Sequence, residues 1–144
     1  MSLRARALRL LARREHSRAE LAAKLLPHAG TPEDVEAVLA EFQDKGWLNE
    51  TRLVDAVVSA RRSRFGAARV LQELRRKGLG EDELARARAA LAGGEMAAAR
   101  AVWAKKFGHP ARSAAERAKQ ARFLAGRGFA PEVVRKVVGG REDD

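Results

Sequence analysis

The chain contains neither cysteine nor tyrosine among its 144 residues. The first absence excludes disulfides, thiol nucleophiles and cysteine-ligated zinc. The second, with aromatics at only 5 %, leaves little surface for stacking bases. No apolar run approaches the roughly 18 residues of a membrane span. Alternating apolar and polar residues are also missing, and with them any sign of a β-strand. No glycine-rich loop ends in Gly-Lys-Ser/Thr. Gly78-Leu79-Gly80 follows a helical pattern rather than a strand, so it reads as a helix stop. His16, His28 and His109 are scattered, and none has a partner at metal-binding helical spacing. The acidic pairs Glu33-Asp34 and Asp82-Glu83 fall in helix first turns, where the macrodipole favours negative charge. Ser17 and Ser113 stand at helix starts and read as caps before nucleophiles. The expectation is a protein without catalytic residues, metal, cofactor or small-molecule substrate.

What the sequence does have is positive charge and helical periodicity. Lys and Arg total 29 against 19 Asp and Glu, a net charge of +10, which favours polyanionic partners. Leu3, Ala7, Leu10 and Leu11 share one helical face. Ser17 and Glu20 form a capping-box pattern before Leu21 and Leu25, and that helix stops at Pro27. Thr31-Pro32 opens the next helix, with Val35, Val38, Leu39 and Phe42 inside and Gly46 as its stop. Asn49 caps a stripe of Leu53, Ala56, Val57 and Ala60, broken at Gly66. Val70, Leu71 and Leu74 end at Gly78, and Leu84, Ala87 and Leu91 precede Gly93-Gly94. Met96, Ala99, Trp103 and Phe107 run up to His109-Pro110. Ser113 and Glu116 repeat the capping-box pattern before Ala121, Leu124 and Ala125, with Gly128 as stop. Pro131 opens a last helix holding Val134, Val137 and Val138. Trp47 and Trp103 read as wedges between helices.

These segments form three groups of three. Leu25, Leu74 and Leu124 occupy corresponding places, 49 and 50 residues apart, as do Thr31, Gly80 and Ala130. RRKGLGEDEL matches AGRGFAPEVV, setting Gly78 on Gly128 and Leu79 on Phe129. The predicted fold is all-α: tandem three-helix repeats over 1–48, 49–93 and 94–138 in an elongated, curved array, with a frayed tail at 139–144. The Arg-rich N-terminus shares features with a transit peptide, but its pattern runs on into a capped helix pair, and a cytoplasmic protein without a membrane segment is expected.

Charge is graded along the array, from +1 over 1–48 to +4 over 49–93 and +5 over 94–144. The candidate binding residues are therefore Arg61, Arg62, Arg64, Arg69, Arg75, Arg76 and Lys77 in the second repeat. Lys105, Lys106, Lys119, Arg122 and Arg127 are those of the third. Cations near helix C-termini complement the dipole, which leaves their accumulation in the last two thirds unexplained. Phe65, Phe107 and Phe123 each follow a cation and suit either base stacking or core packing.

The run GWLNETRLVDAVVSARRSRFGAARVLQELRRKGL, from Gly46 to Leu79, resembles the central block of the RecX family of bacterial recombination regulators. Gly46-Trp47-Leu48-Asn49, Arg52, Arg61-Arg62, Gly66, Gln72-Glu73-Leu74 and Lys77-Gly78 carry the likeness. ALRLLARREHSRAELAAKL resembles the family's opening, and Lys119, Arg122-Phe123-Leu124 and Arg127-Gly128-Phe129 its closing block. Leu53 replaces a usual phenylalanine, and Ala67-Ala68 stand where proline and a basic residue are common. The resemblance implies tandem three-helix repeats and a partner, the RecA filament on single-stranded DNA, whose assembly, strand exchange and co-protease activity such proteins restrain. A body lying in the filament groove, with its basic faces toward DNA phosphates or acidic recombinase surface, would act by steric and electrostatic means. The alternative reading of the residues is an autonomous DNA-binding helical protein.

Overall fold

The structure is a computed structural model that describes residues 1–139. The tail expected from 139 therefore lies outside the described residues except for Gly139, which closes the last helix. The described residues form α-helices joined by loops, with no strand: α1 (Leu3–Arg13), α2 (Arg18–Leu25), continued by a 3-10 turn at Leu26–His28, α3 (Pro32–Asp44), α4 (Glu50–Arg61), α5 (Ala67–Arg76), α6 (Glu81–Leu91), α7 (Glu95–Lys106), α8 (Ala114–Gly126) and α9 (Pro131–Gly139). None is long and apolar enough to cross a membrane.

Local sequence dictates these boundaries. Ser17 accepts from the Glu20 N–H at 3.0 Å while the Glu20 carboxylate accepts from the Ser17 N–H, closing a capping box on α2. Thr31 and Asn49 cap α3 and α5's predecessor α4 through the N–H groups of Asp34 and Arg52. At Ser113 only half of the expected box forms, because Glu116 reaches past it to the Arg112 N–H at 2.7 Å. α5 and α8 end alike. Gly78 and Gly128 take φ of +84° and +89°, which only glycine adopts cheaply, and Leu79 and Phe129 fold back over Leu74 and Leu124.

The nine helices pack in threes around three separate cores. The first is built on Leu21, Leu25, Leu39 and Phe42, the second on Val54, Val70, Leu74 and Leu84, the third on Ala99, Leu124, Phe129 and Val134. The molecule exposes 8699 Å² at a mass of 15.7 kDa. A compact monomer of that mass exposes about 7300 Å², so the units form an extended array. In α4, Leu53 and Val57 are buried as expected, but Val54 and Val58 join them in the core while Ala56 and Ala60 are exposed. In α8 the core stripe is Gln120, Ala121 and Leu124, whereas Ala125 faces out. Gln120 is buried because it accepts from Trp103 Nε1 at 3.0 Å and donates to the His109 carbonyl at 3.3 Å. It thereby pins the longer loop that sets the third unit apart. Trp103 is a wedge as expected, but Trp47 is 39 % exposed, a lid on Phe42 rather than a wedge.

Both joints between units use the same two pieces. In the first, Ser17 Oγ donates to the Lys77 carbonyl, and Glu50 at the start of α4 accepts from the Arg18 N–H at 2.9 Å. In the second, the Gly66 N–H donates to the Arg127 carbonyl at 2.9 Å, and Glu95 at the start of α7 accepts from the Ala67 N–H at 2.9 Å. Each time, the N-terminus of one unit's middle helix receives the helix stop and the leading glutamate of the next unit. The repeat is thus also a repeat of the joint. At the second joint a methyl on Gly66 would lie 2.2 Å from the Gly128 carbonyl oxygen.

Two predictions follow from this packing. Leu74→Asp is expected to unfold the middle unit: losing the buried leucine alone costs about 2–5 kcal/mol, and a buried unpaired carboxylate adds to that. A thermal melt indistinguishable from the unmodified chain would contradict the core assignment. Gly66→Ala is expected to part the second and third units at a cost of roughly 1–3 kcal/mol, splitting one unfolding transition into two while helicity is kept. A single unshifted transition by circular dichroism would contradict the joint.

Candidate functional site

Charge is where the three units differ most. The first unit neutralises itself, with Arg4 and Lys45 both on Glu41, Arg14 on Glu20, and Arg18 on Glu36. Exposed pairs of this kind add little stability; their consequence here is a near-neutral surface. Among the described residues, the third unit holds a single ion pair, Lys136 with Glu132. Among those residues its other cations have no carboxylate within ion-pair distance, so positive charge is in excess there.

The second joint concentrates that charge. Phe65, half-buried in the turn between α4 and α5, carries the guanidinium groups of Arg69, Arg127 and Arg64 at 4.8, 5.1 and 5.8 Å from its centroid. Two of these groups also brace the backbone of the opposite unit. Arg69 donates to the Gly126 carbonyl at 3.1 Å, and Arg127 donates to the Arg64 carbonyl at 3.2 Å. Arg61 joins from α4, held at 3.0 Å by Glu73. On the third unit, Lys106 and Arg127 lie over Phe123 at 5.3 and 5.1 Å, and Phe107 meets that ring edge-on. A cleft of about 450 Å³ opens between the units, lined by Arg64, Lys105, Lys106 and Arg127 with Val102 and Phe123.

The structure thus brings Arg61, Arg64, Arg69 and Arg127 together around Phe65 and sets Lys105 and Lys106 beside them. Arg62 packs over Gly94 and turns toward Leu91 and Glu95. Arg75, Arg76, Lys119 and Arg122 are exposed on α5 and α8 but line neither the Phe65 cluster nor the cleft. Lys77 is committed to the first joint: its carbonyl accepts from Ser17 and its ammonium lies 3.6 Å from Glu20. Sequence reasoning missed Gly66, Gly128, Glu50 and Glu95 as the parts that place these cations. The only local signal for the glutamates is their position as first helical residues. The aromatic rings are occupied by the protein's own cations, which disfavours base stacking as their role. The groove at the first joint differs in kind, since Glu15 and Glu73 line it together with Arg14, Arg61 and Lys77. Among the described residues no group of three or more potential metal ligands occurs.

The fold and this face define a class: a tandem array of three-helix units that offers an extended basic surface. Residues 94–138 match the family described as "RecX, third three-helix domain", and residues 4–42 match "RecX, first three-helix domain". The chain is 49 % identical to the regulatory protein RecX of Ralstonia nicotianae over 99 % of its own length and 89 % of that protein's. It is 51 % identical to that of Leptothrix cholodnii over 96 % and 88 %. A crystal structure of RecX from Lactobacillus salivarius superposes with a TM-score of 0.81 at 14 % identity, covering 95 % of this chain and 92 % of that one. The chain belongs to the RecX family of regulatory proteins, and its helical repeat array is the family's fold.

Acid should loosen the first joint. His16, 1 % exposed beside Ser17, bonds through Nδ1 to the Arg14 carbonyl at 3.0 Å and through Nε2 to Lys24 at 3.2 Å. Burial lowers its pKa, and the Arg14 and Lys24 charges lower it further, outweighing the carbonyl bond. The folded state therefore binds fewer protons than the unfolded one. This stability is complete above the ordinary imidazole value and is lost as pH falls through it toward the folded value. For Glu20, burial pushes the pKa up, but the Ser17 N–H, Arg14 and Lys77 together bring it below the ordinary carboxylate value. Its contribution is present above that ordinary value and is lost as pH falls through the folded one. Melting temperature is expected to drop from neutral to mildly acidic pH with a slope that His16→Gln flattens. An equal slope in both proteins would contradict the buried neutral histidine.

Proposed function

We propose that this chain restrains the RecA recombinase by lying along the groove of the RecA filament on single-stranded DNA. Units two and three face the filament, and no chemical step is involved. The observation that carries this reading is the assembly of cations from two units at one joint, where Glu73 is the one carboxylate among the lining residues and is already paired with Arg61. Membership in a family of regulatory proteins supports it, as does the extended shape, which suits a long groove better than a compact partner. Occupying the groove blocks subunit addition, entry of homologous DNA and access of co-protease substrates. The setting is the cytoplasm, where such filaments assemble. Arg61, Arg64, Arg69 and Arg127, with Lys105 and Lys106, form the centre of the contact, and Arg62 stands at its edge over Gly94. Arg75, Arg76, Lys119 and Arg122 extend the field around it, while Lys77 serves the first joint. The same cations would suit bare DNA, and steep weakening with salt is expected of either partner.

The test is the single-stranded-DNA-dependent ATPase of RecA with and without the protein. The unmodified chain is expected to inhibit it. Replacing Arg61, Arg62 and Arg64 together by alanine is expected to keep helicity and weaken inhibition by at least tenfold. Full inhibition by that triple variant would sink the assignment of this face.

A further inference from the structure

The cleft at the second joint differs from the rest of the basic surface in having an apolar floor. Ala101 and Val102 on α7 and Phe123 on α8 line it together with Arg64, Lys105, Lys106 and Arg127, and we take the three apolar residues as its floor. No carboxylate lines it, in contrast to the groove at the first joint. A nucleic-acid backbone can use the cations but gains nothing from the floor. Phe123 already carries Lys106 and Arg127 and meets Phe107 edge-on, so its face is taken from a stacking base, and the apolar surface left for a ligand is that of Ala101 and Val102. An apolar floor within a cationic rim is complementary to a peptide whose carboxylates flank an aliphatic or aromatic side chain: the rim reads the charges and the floor takes the anchor. Arg127 is prepared for such a role. Its guanidinium is held by the Arg64 carbonyl at 3.2 Å and lies against two rings, so little freedom is lost when its planar fork meets a carboxylate.

We infer that this cleft is a docking seat for an acidic peptide segment with a central apolar anchor, carried by a protein partner. The inference rests on the reading that units two and three supply the binding face, and it adds that a protein chain, rather than DNA, occupies this part of it. Because Arg64 comes from the second unit and the lysines from the third, the bound peptide bridges the joint and holds the two units in one relative orientation.

The experiment uses the full chain and two synthetic fluorescent dodecapeptides, each with Asp and Glu flanking one central residue, Leu in one and Ser in the other. Oligodeoxythymidylate of equal net charge is the third probe. Fluorescence anisotropy at moderate salt is expected to show the Leu peptide binding about tenfold more tightly than the Ser peptide and more tightly than the oligonucleotide. The double variant Lys105→Gln, Lys106→Gln changes two exposed side chains and preserves the fold, which circular dichroism checks. It is expected to lose about tenfold in affinity for the Leu peptide. Amide shifts on peptide addition are expected to centre on Ser63, Arg64, Val102 and Lys106. Equal affinity for the Leu and Ser peptides, tighter binding of the oligonucleotide, or a double variant with unchanged affinity would each overturn the proposal. No RecA is present in these assays, so their outcome is separate from that of the ATPase test: the cleft can fail while filament inhibition stands, and the reverse.

Discussion

Gly66 and Gly128 meet backbone to backbone, and the convergence of cations from two units on Phe65 depends on that meeting. The Gly66 N–H donates to the Arg127 carbonyl at 2.9 Å, and neither glycine has room for a side chain: a methyl on Gly128 would lie 2.4 Å from Arg69 Cβ. Close backbone approach is what lets Arg69 and Arg127 reach across the joint, each to a carbonyl of the other unit, and converge on Phe65. A looser joint would leave the same arginines as separate surface charges. Each three-helix unit of this size buries only a small core, so the joints are as much a part of the stability as the cores are.

The same joint appears between the first and second units with different chemistry around it. There the contact is Ser17 to the Lys77 carbonyl, and the ionic partners Glu15, Glu20, Arg52 and Lys77 neutralise one another. One joint geometry thus yields a mixed-charge groove at one end of the array and an open cationic cleft at the other. On the proposed reading the second and third units present the charge, and the first lengthens the body.

What the sequence made legible was local. Caps at Ser17, Thr31 and Asn49 and stops at Gly78 and Gly128 are decided by residues within one turn, so helix ends could be read directly. The 49- and 50-residue spacings carried the repeat for the same reason. Contacts over long separations were not legible. α4 bears two adjacent apolar stripes, and only packing against α5 and α6 selects Val54 and Val58 over Ala56 and Ala60, which are left exposed along the groove of the first joint. Nothing near Glu50 or Glu95 in the chain announces that each caps a helix of the preceding unit. The arginine excess by itself did not separate Arg64 and Arg127, which meet at the cleft, from Arg75 and Arg76, which stand outside it, or from Lys77, which serves the other joint.

As proposed here, the protein reads a filament rather than DNA. The most direct measurement compares its affinity for RecA assembled on a single-stranded oligonucleotide with its affinity for the same oligonucleotide bare, across a series of salt concentrations. Tighter binding to the filament at every salt concentration is the predicted result. Equal affinities throughout the series would contradict the account and leave a DNA-binding protein in its place.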